Sequence, residues 1–89
     1  MQQSDHFDIT ANDIRAAAER IATQVVRTPL MHCDSISKSL GCELLFKAEN
    51  LQHEGSFKIR GATNAVNSLV DQAGKKELAN CGVITHSSG

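Results

Sequence analysis

Glu43-Leu44-Leu45-Phe46-Lys47 leads through Ala48-Glu49-Asn50-Leu51-Gln52-His53-Glu54-Gly55 into Ser56-Phe57-Lys58, where helical spacing begins. The apolar run lacks clean alternation, which predicts a strand covered on both faces, as in parallel sheets. Ser56 can cap a helix whose apolar face is Ile59, Ala62, Ala65, Val66 and Leu69. Val83-Ile84-Thr85 reads as a second buried strand and opens directly into His86-Ser87-Ser88-Gly89. A crossover containing a helix between two strands favours parallel pairing. The predicted class is therefore α/β, with parallel sheets flanked by helices.

Upstream, Thr10 with Asp13 three residues later resembles a capping box. Ile14, Ala17, Ala18, Ile21, Val25 and Val26 follow at helical spacing, so an amphipathic helix is predicted from 11 to about 25. Pro29 ends it, because the residue before a proline is pushed into extended geometry. Asp34 is placed to cap a short helix reaching Leu40, with Gly41 at the position where a left-handed residue costs least. Residues 71–80 are the most linker-like stretch, with one helical turn expected at 75–79. Two strands are too few for a parallel sheet covered on both faces, so the expectation is a piece of a longer fold.

Composition is that of an ordinary soluble protein: 40% hydrophobic and 21% charged over 89 residues. A net charge of −1 with interspersed signs argues against a polybasic nucleic-acid or membrane-surface module. Three cysteines without a C-x-x-C and four scattered histidines offer no zinc-ligand spacing. The N-terminus has no signal-peptide or transit-peptide pattern, and no apolar run is long enough for a transmembrane helix. The expected location is the cytoplasm.

Sites in α/β sheets form beyond the carboxyl ends of strands, which selects two loops. In the first, Lys58 falls in the opening turn of a helix. A cation there faces the positive end of the helix dipole, and burial beside Phe57 would favour the neutral amine a Schiff base needs. Lys58 reads equally as an ordinary solvated surface lysine. In the second, Ser87-Ser88-Gly89 could turn backbone N–H groups toward a carboxylate, although the same residues also suit an ordinary turn. Ala73-Gly74-Lys75-Lys76 is not a phosphate loop, because Leu69 stands at its first glycine and Lys76 at its Ser/Thr. Arg60 and Glu54 are read as solvated or salt-bridging, and Cys42 and Cys81 as small buried hydrophobes. Glu49 is open between a structural role and one of tuning the lysine.

The stretch Lys47-Ala48-Glu49-Asn50-Leu51-Gln52-His53-Glu54-Gly55-Ser56-Phe57-Lys58-Ile59-Arg60-Gly61-Ala62 resembles the cofactor-lysine signature of fold-type II pyridoxal-phosphate enzymes, in the serine racemase and serine/threonine dehydratase (ammonia-lyase) branch. Thr85-His86-Ser87-Ser88-Gly89 resembles the start of that branch's substrate loop. The resemblance implies that Lys58 holds pyridoxal 5′-phosphate covalently, that Phe57 packs on its ring, and that Ser87, Ser88 and Gly89 hold the substrate carboxylate. It also implies that Lys58 and Ser88 are the catalytic groups on opposite faces of the substrate α-carbon. The implied reaction of the parent enzyme is β-elimination from L-serine or L-threonine to a 2-oxo acid and ammonia, with serine racemisation as a second outcome. The 89 residues alone are expected to be inactive.

The resemblance further implies a homodimeric parent acting on a small amino acid, with no nucleic-acid or membrane partner. The divalent metal of the racemases would bind outside this chain. It divides the sequence into 1–70 in the larger, cofactor-binding domain, 71–80 as a linker, and 81–89 as the first strand and substrate loop of the smaller domain. His53 and Glu54 depart from the Lys and Thr of nucleotide-activated racemases. Two alternatives are a non-catalytic truncated isoform that associates with full-length subunits, and a β-replacement enzyme of the same fold.

Overall fold

The computed structural model describes residues 8–87. Helix α1 spans Ala11–Ile21, strand β1 Leu30–His32, helix α2 Asp34–Leu40 and strand β2 Leu45–Lys47. Two 3-10 turns, Glu49–Leu51 and His53–Gly55, lead to helix α3, Lys58–Ala73, and helix α4, Lys75–Cys81. Helices and a small sheet make an α/β arrangement, as the sequence predicts.

Helix α1 starts with the expected reciprocal cap: Asp13 N–H donates to Thr10 Oγ1 at 3.2 Å, and Thr10 N–H donates to the Asp13 carboxylate at 2.9 Å. It ends at Ile21, short of the predicted residue 25. The end of α1 is tied to α3. Asn67 Nδ2 donates to the Arg20 carbonyl at 3.0 Å and to the Gln24 side-chain oxygen. The Arg20 carbonyl is the acceptor that the Gln24 amide would use in a continuing helix; that amide bonds to Ile21 O instead, at 2.9 Å. Arg20 binds α3 twice more, at Asn64 Oδ1 (2.7 Å) and at the Asp71 carboxylate (3.6 Å).

The sheet differs from the expected parallel pairing. Among the described residues it has two antiparallel strands, with Leu30 opposite Lys47, Met31 opposite Phe46 and His32 opposite Leu45. Strand β1 was not foreseen; the extended geometry expected ahead of Pro29 continues into it and takes up the ladder bonds of β2. The ribbon extends by one bond, Ala48 N–H to Pro29 O at 3.0 Å. The segment 83–85, expected as a buried strand, is not one, and Ile84 is 98% exposed. An extended segment becomes a strand only against a hydrogen-bonding neighbour, and none of the described residues supplies one.

Helix α2 matches its prediction, except that Cys33 rather than Asp34 occupies the cap position. Gly41 at φ 71° lets its own amide reach Lys38 O and that of Cys42 reach Ser37 O, closing a Schellman turn. Helix α3 runs on through residues expected to form a linker, and Gly74 separates it from α4, so most of 71–80 is helical. Cys42 and Cys81 are exposed rather than buried, and all three cysteines are free.

Burial is thin. Only Ile21, Ala48, Thr28 and Gln52 are buried among the described residues, and two of these are polar. Apolar side chains such as Ile14, Leu30, Phe46 and Phe57 are exposed. The radius of gyration is 17.7 Å, against about 12 Å for a compact domain of this length. An open apolar groove of about 600 Å³ runs along Ile14, Ala17, Ile21, Val25 and Val26. No described helix is long and apolar enough to cross a membrane.

Candidate active site

The site is built around the turn that carries the chain from β2 into α3. Gln52 is its fixed point, 4% exposed. Its Oε1 accepts from Val26 N–H at 2.8 Å and from His53 N–H at 3.1 Å. Its Nε2 donates to Val26 O at 2.8 Å and to Glu49 Oε2 at 3.4 Å. A primary carboxamide has two donor hydrogens and an oxygen with two lone pairs, so every position is used. The side chain imitates a strand neighbour for Val26, joining the exit of α1 to the loop after β2.

Glu49 gathers the rest. Arg60 donates to it side-on, Nε to Oε2 at 2.8 Å and Nη2 to Oε1 at 2.7 Å. Thr28 Oγ1, in a residue only 3% exposed, donates to Oε1 at 2.5 Å. The Arg60 guanidinium, then the Thr28 hydroxyl, hold the Glu49 carboxyl down at about 2, well below its ordinary range. The same pairing raises Arg60. Lys47 Nζ closes the cluster from β2, donating to Thr28 O at 2.6 Å. Arg60 is thus salt-bridging, one of the roles its sequence context suggests.

Lys58 is the first residue of α3 and Phe57 occupies its cap position without a side-chain capping bond. The Lys58 amide donates to Ser56 Oγ at 3.4 Å, so the serine expected to cap the helix meets its first turn one residue early. Both Phe57 (66% exposed) and Lys58 stand on the surface; the burial beside Phe57 expected from sequence is not provided by the described residues. Two left-handed residues, Glu54 at φ 64° and Gly55 at φ 73°, turn the backbone just ahead of them. Ser87 is exposed beyond the end of α4, while Ser88 and Gly89 lie outside the described residues. No group of three or more His, Cys, Asp or Glu able to hold a metal ion occurs among the described residues.

Sequence reasoning on single residues missed Thr28 and Gln52 as structural centres. Neither sits on an amphipathic face, and a polar loop residue carries no periodic signal that announces burial. What marks them is only that Gln52 lies within the stretch from Lys47 to Ala62 and that Thr28 precedes Pro29.

Comparison with known proteins follows the same residues. Residues 21–89 match the family described as pyridoxal-phosphate dependent enzyme. The chain is 48% identical over 80 residues to β-hydroxyaspartate dehydratase of Paracoccus denitrificans, covering 90% of this chain and 24% of that protein. It is 47% identical over 81 residues to serine racemase of Dictyostelium discoideum, covering 91% and 24%. The structure of maize serine racemase superposes with a TM-score of 0.74 at 46% identity, over 89% of this chain and 23% of the other. The chain spans about a quarter of the length of these relatives. With the stretch from Lys47 to Ala62, the fold and the relatives in agreement, the chain belongs to the pyridoxal-phosphate dependent enzyme family, in the fold-type II branch that includes serine racemases and hydroxy-amino-acid dehydratases.

Proposed function

We propose that the complete enzyme carrying this segment removes the β-hydroxyl and α-amino groups of L-serine or L-threonine, giving a 2-oxo acid and ammonia. Racemisation of serine is the second outcome of the same site. One observation carries this reading: Lys58 opens α3, next to Phe57, on a turn pinned to two other chain segments through Glu49 and Gln52. The relatives' names support the substrate class, since serine and β-hydroxyaspartate are both amino acids with a hydroxyl on the β-carbon.

The residues present fit the aldehyde end of pyridoxal phosphate: a primary amine on a held backbone, with an outward-facing aromatic ring beside it to cover a flat heterocycle. Lys58 would hold the cofactor and Phe57 would pack on it. Bound there, the cofactor supplies an electron sink that makes the substrate's α-hydrogen removable. Lys58 Nζ, freed when the substrate's own amine takes its place, would be the base that takes that proton on one face. Ser87, Ser88 and Gly89 bind the substrate carboxylate, and Ser88 is the acid–base group of the opposite face that racemisation requires. Residues 1–70 belong to the larger domain and 81–89 to the smaller, with 71–80 between them.

Borohydride treatment of the complete enzyme followed by peptide mapping tests the assignment. The expected result is one reduced cofactor adduct on Lys58; an adduct on another lysine, or none, refutes it. The isolated 89-residue chain is expected to release no pyruvate from L-serine.

A further inference from the structure

Helix α3 has only a weak local hold at its start, the long 3.4 Å bond from the Lys58 amide to Ser56 Oγ. Phe57 makes no side-chain cap, the first turn has no acidic residue, and Lys58 places a cation at the positive end of the dipole. The two residues at 54 and 55 that swing the chain into the helix are both left-handed. Contacts from outside the helix start fix its place: Gln52 ties the turn to Val26, and Arg60 ties α3 itself to Glu49. Arg60 lies two positions after Lys58, roughly 200° around a helix of 3.6 residues per turn, so the two side chains leave opposite faces. Arg60 is clamped by both oxygens of Glu49, and its Nη2 also donates to Val26 O at 3.3 Å. Glu49 is in turn held by Thr28 and Gln52, on a segment anchored to the β1–β2 ribbon through Ala48.

We infer that the Glu49–Arg60 pair is a positioning device for Lys58: it grips α3 from behind, so that the amine on the opposite face is presented to the cofactor at a fixed height above the ribbon. This rests on the reading of Lys58 as the cofactor lysine. Two parallel charge-assisted bonds between planar groups fix an angle as well as a distance, which a single lysine–carboxylate contact would not. The clamp therefore needs arginine, not merely a positive charge.

The test uses the complete holoenzyme with Glu49→Gln and, separately, Arg60→Lys, which keeps the charge and loses the fork. Three quantities are read: the rate at which the cofactor absorbance is lost on dialysis, the pH dependence of that absorbance, and the thermal midpoint. Misplacement of the amine is expected to speed cofactor loss roughly tenfold or more and to move the pH dependence in both variants. A lowered midpoint with the release rate within about twofold of the parent and an unmoved pH profile would mean a purely structural brace and overturn the inference. Should Glu49→Gln fail to accumulate as folded protein, Arg60→Lys decides by the same two readouts. Borohydride mapping of the unsubstituted enzyme separates the two levels: an adduct away from Lys58 removes the functional reading and this inference with it, whereas an adduct on Lys58 with unaltered release in the variants removes the inference alone.

Discussion

The turn after β2 and the stretch after α4 are both loops that precede candidate site residues, yet they are built in opposite ways. Around residues 47–60, three chain segments meet on the side chains of Gln52 and Glu49, and Thr28 and Gln52 are almost wholly withdrawn from solvent. Beyond Cys81 the backbone adopts no regular element through residue 87, and Ile84 is fully in water. The first loop carries its own scaffold of satisfied polar groups. The second has a strand-like sequence with no neighbour to pair with. A site half made of each would have Lys58 pre-positioned and the residues after α4 dependent on other parts of the fold.

The strongest way to break this contrast is at Gln52. Gln52→Ala in the complete enzyme removes the four hydrogen bonds of a buried carboxamide, each contributing about 0.5–1.5 kcal/mol net. The expected loss is about 2–4 kcal/mol in denaturant unfolding. A loss below about 0.5 kcal/mol, the range of ordinary surface changes, would show that the carboxamide is not the fixed point described.

Acid attacks the same region through Glu49. Its folded-state value is depressed, to about 2 from an ordinary 4.5. The stability it contributes is therefore fully present above about 4.5 and is lost as pH falls from there through about 2. The amides of Val26 and Ala48 should lose hydrogen-exchange protection across that window. Glu49→Gln should remove this acid-dependent component, and an unchanged acid response in that variant would contradict the assignment.

The smallest effect is expected at the other loop. Ile84→Ser in the 89-residue chain should change stability by less than about 0.5 kcal/mol, since the side chain is already exposed. A loss near the roughly 1.5–3 kcal/mol of a fully buried aliphatic side chain would show that residues 83–85 pack within this chain, and the contrast would vanish.

The elements that were legible in the sequence are those whose determinants are local. The cap at Thr10 and Asp13, the left-handed stop at Gly41, the apolar spacing of α3 and the placement of Lys58 in its first turn each depend on residues within a few positions of one another. Misreadings arose wherever a distant residue decided. Asn67 bonds to the Arg20 carbonyl where α1 ends, and Leu30–His32 pairs antiparallel with β2 where the sequence predicts a parallel partner. Val83–Thr85 has strand composition, but a strand is a property of a pair.

The chemistry of position 58, an amine beside an aromatic ring at a helix start, was set by the sequence itself, because covalent identity and helical phase are local facts. The grip of Glu49 on Arg60 and the complete satisfaction of Gln52 were decided only by the tertiary structure. Side chains separated by 11 and 26 residues from their partners form a short hydrogen bond only after the intervening chain has folded, and no pattern in the intervening residues encodes that distance.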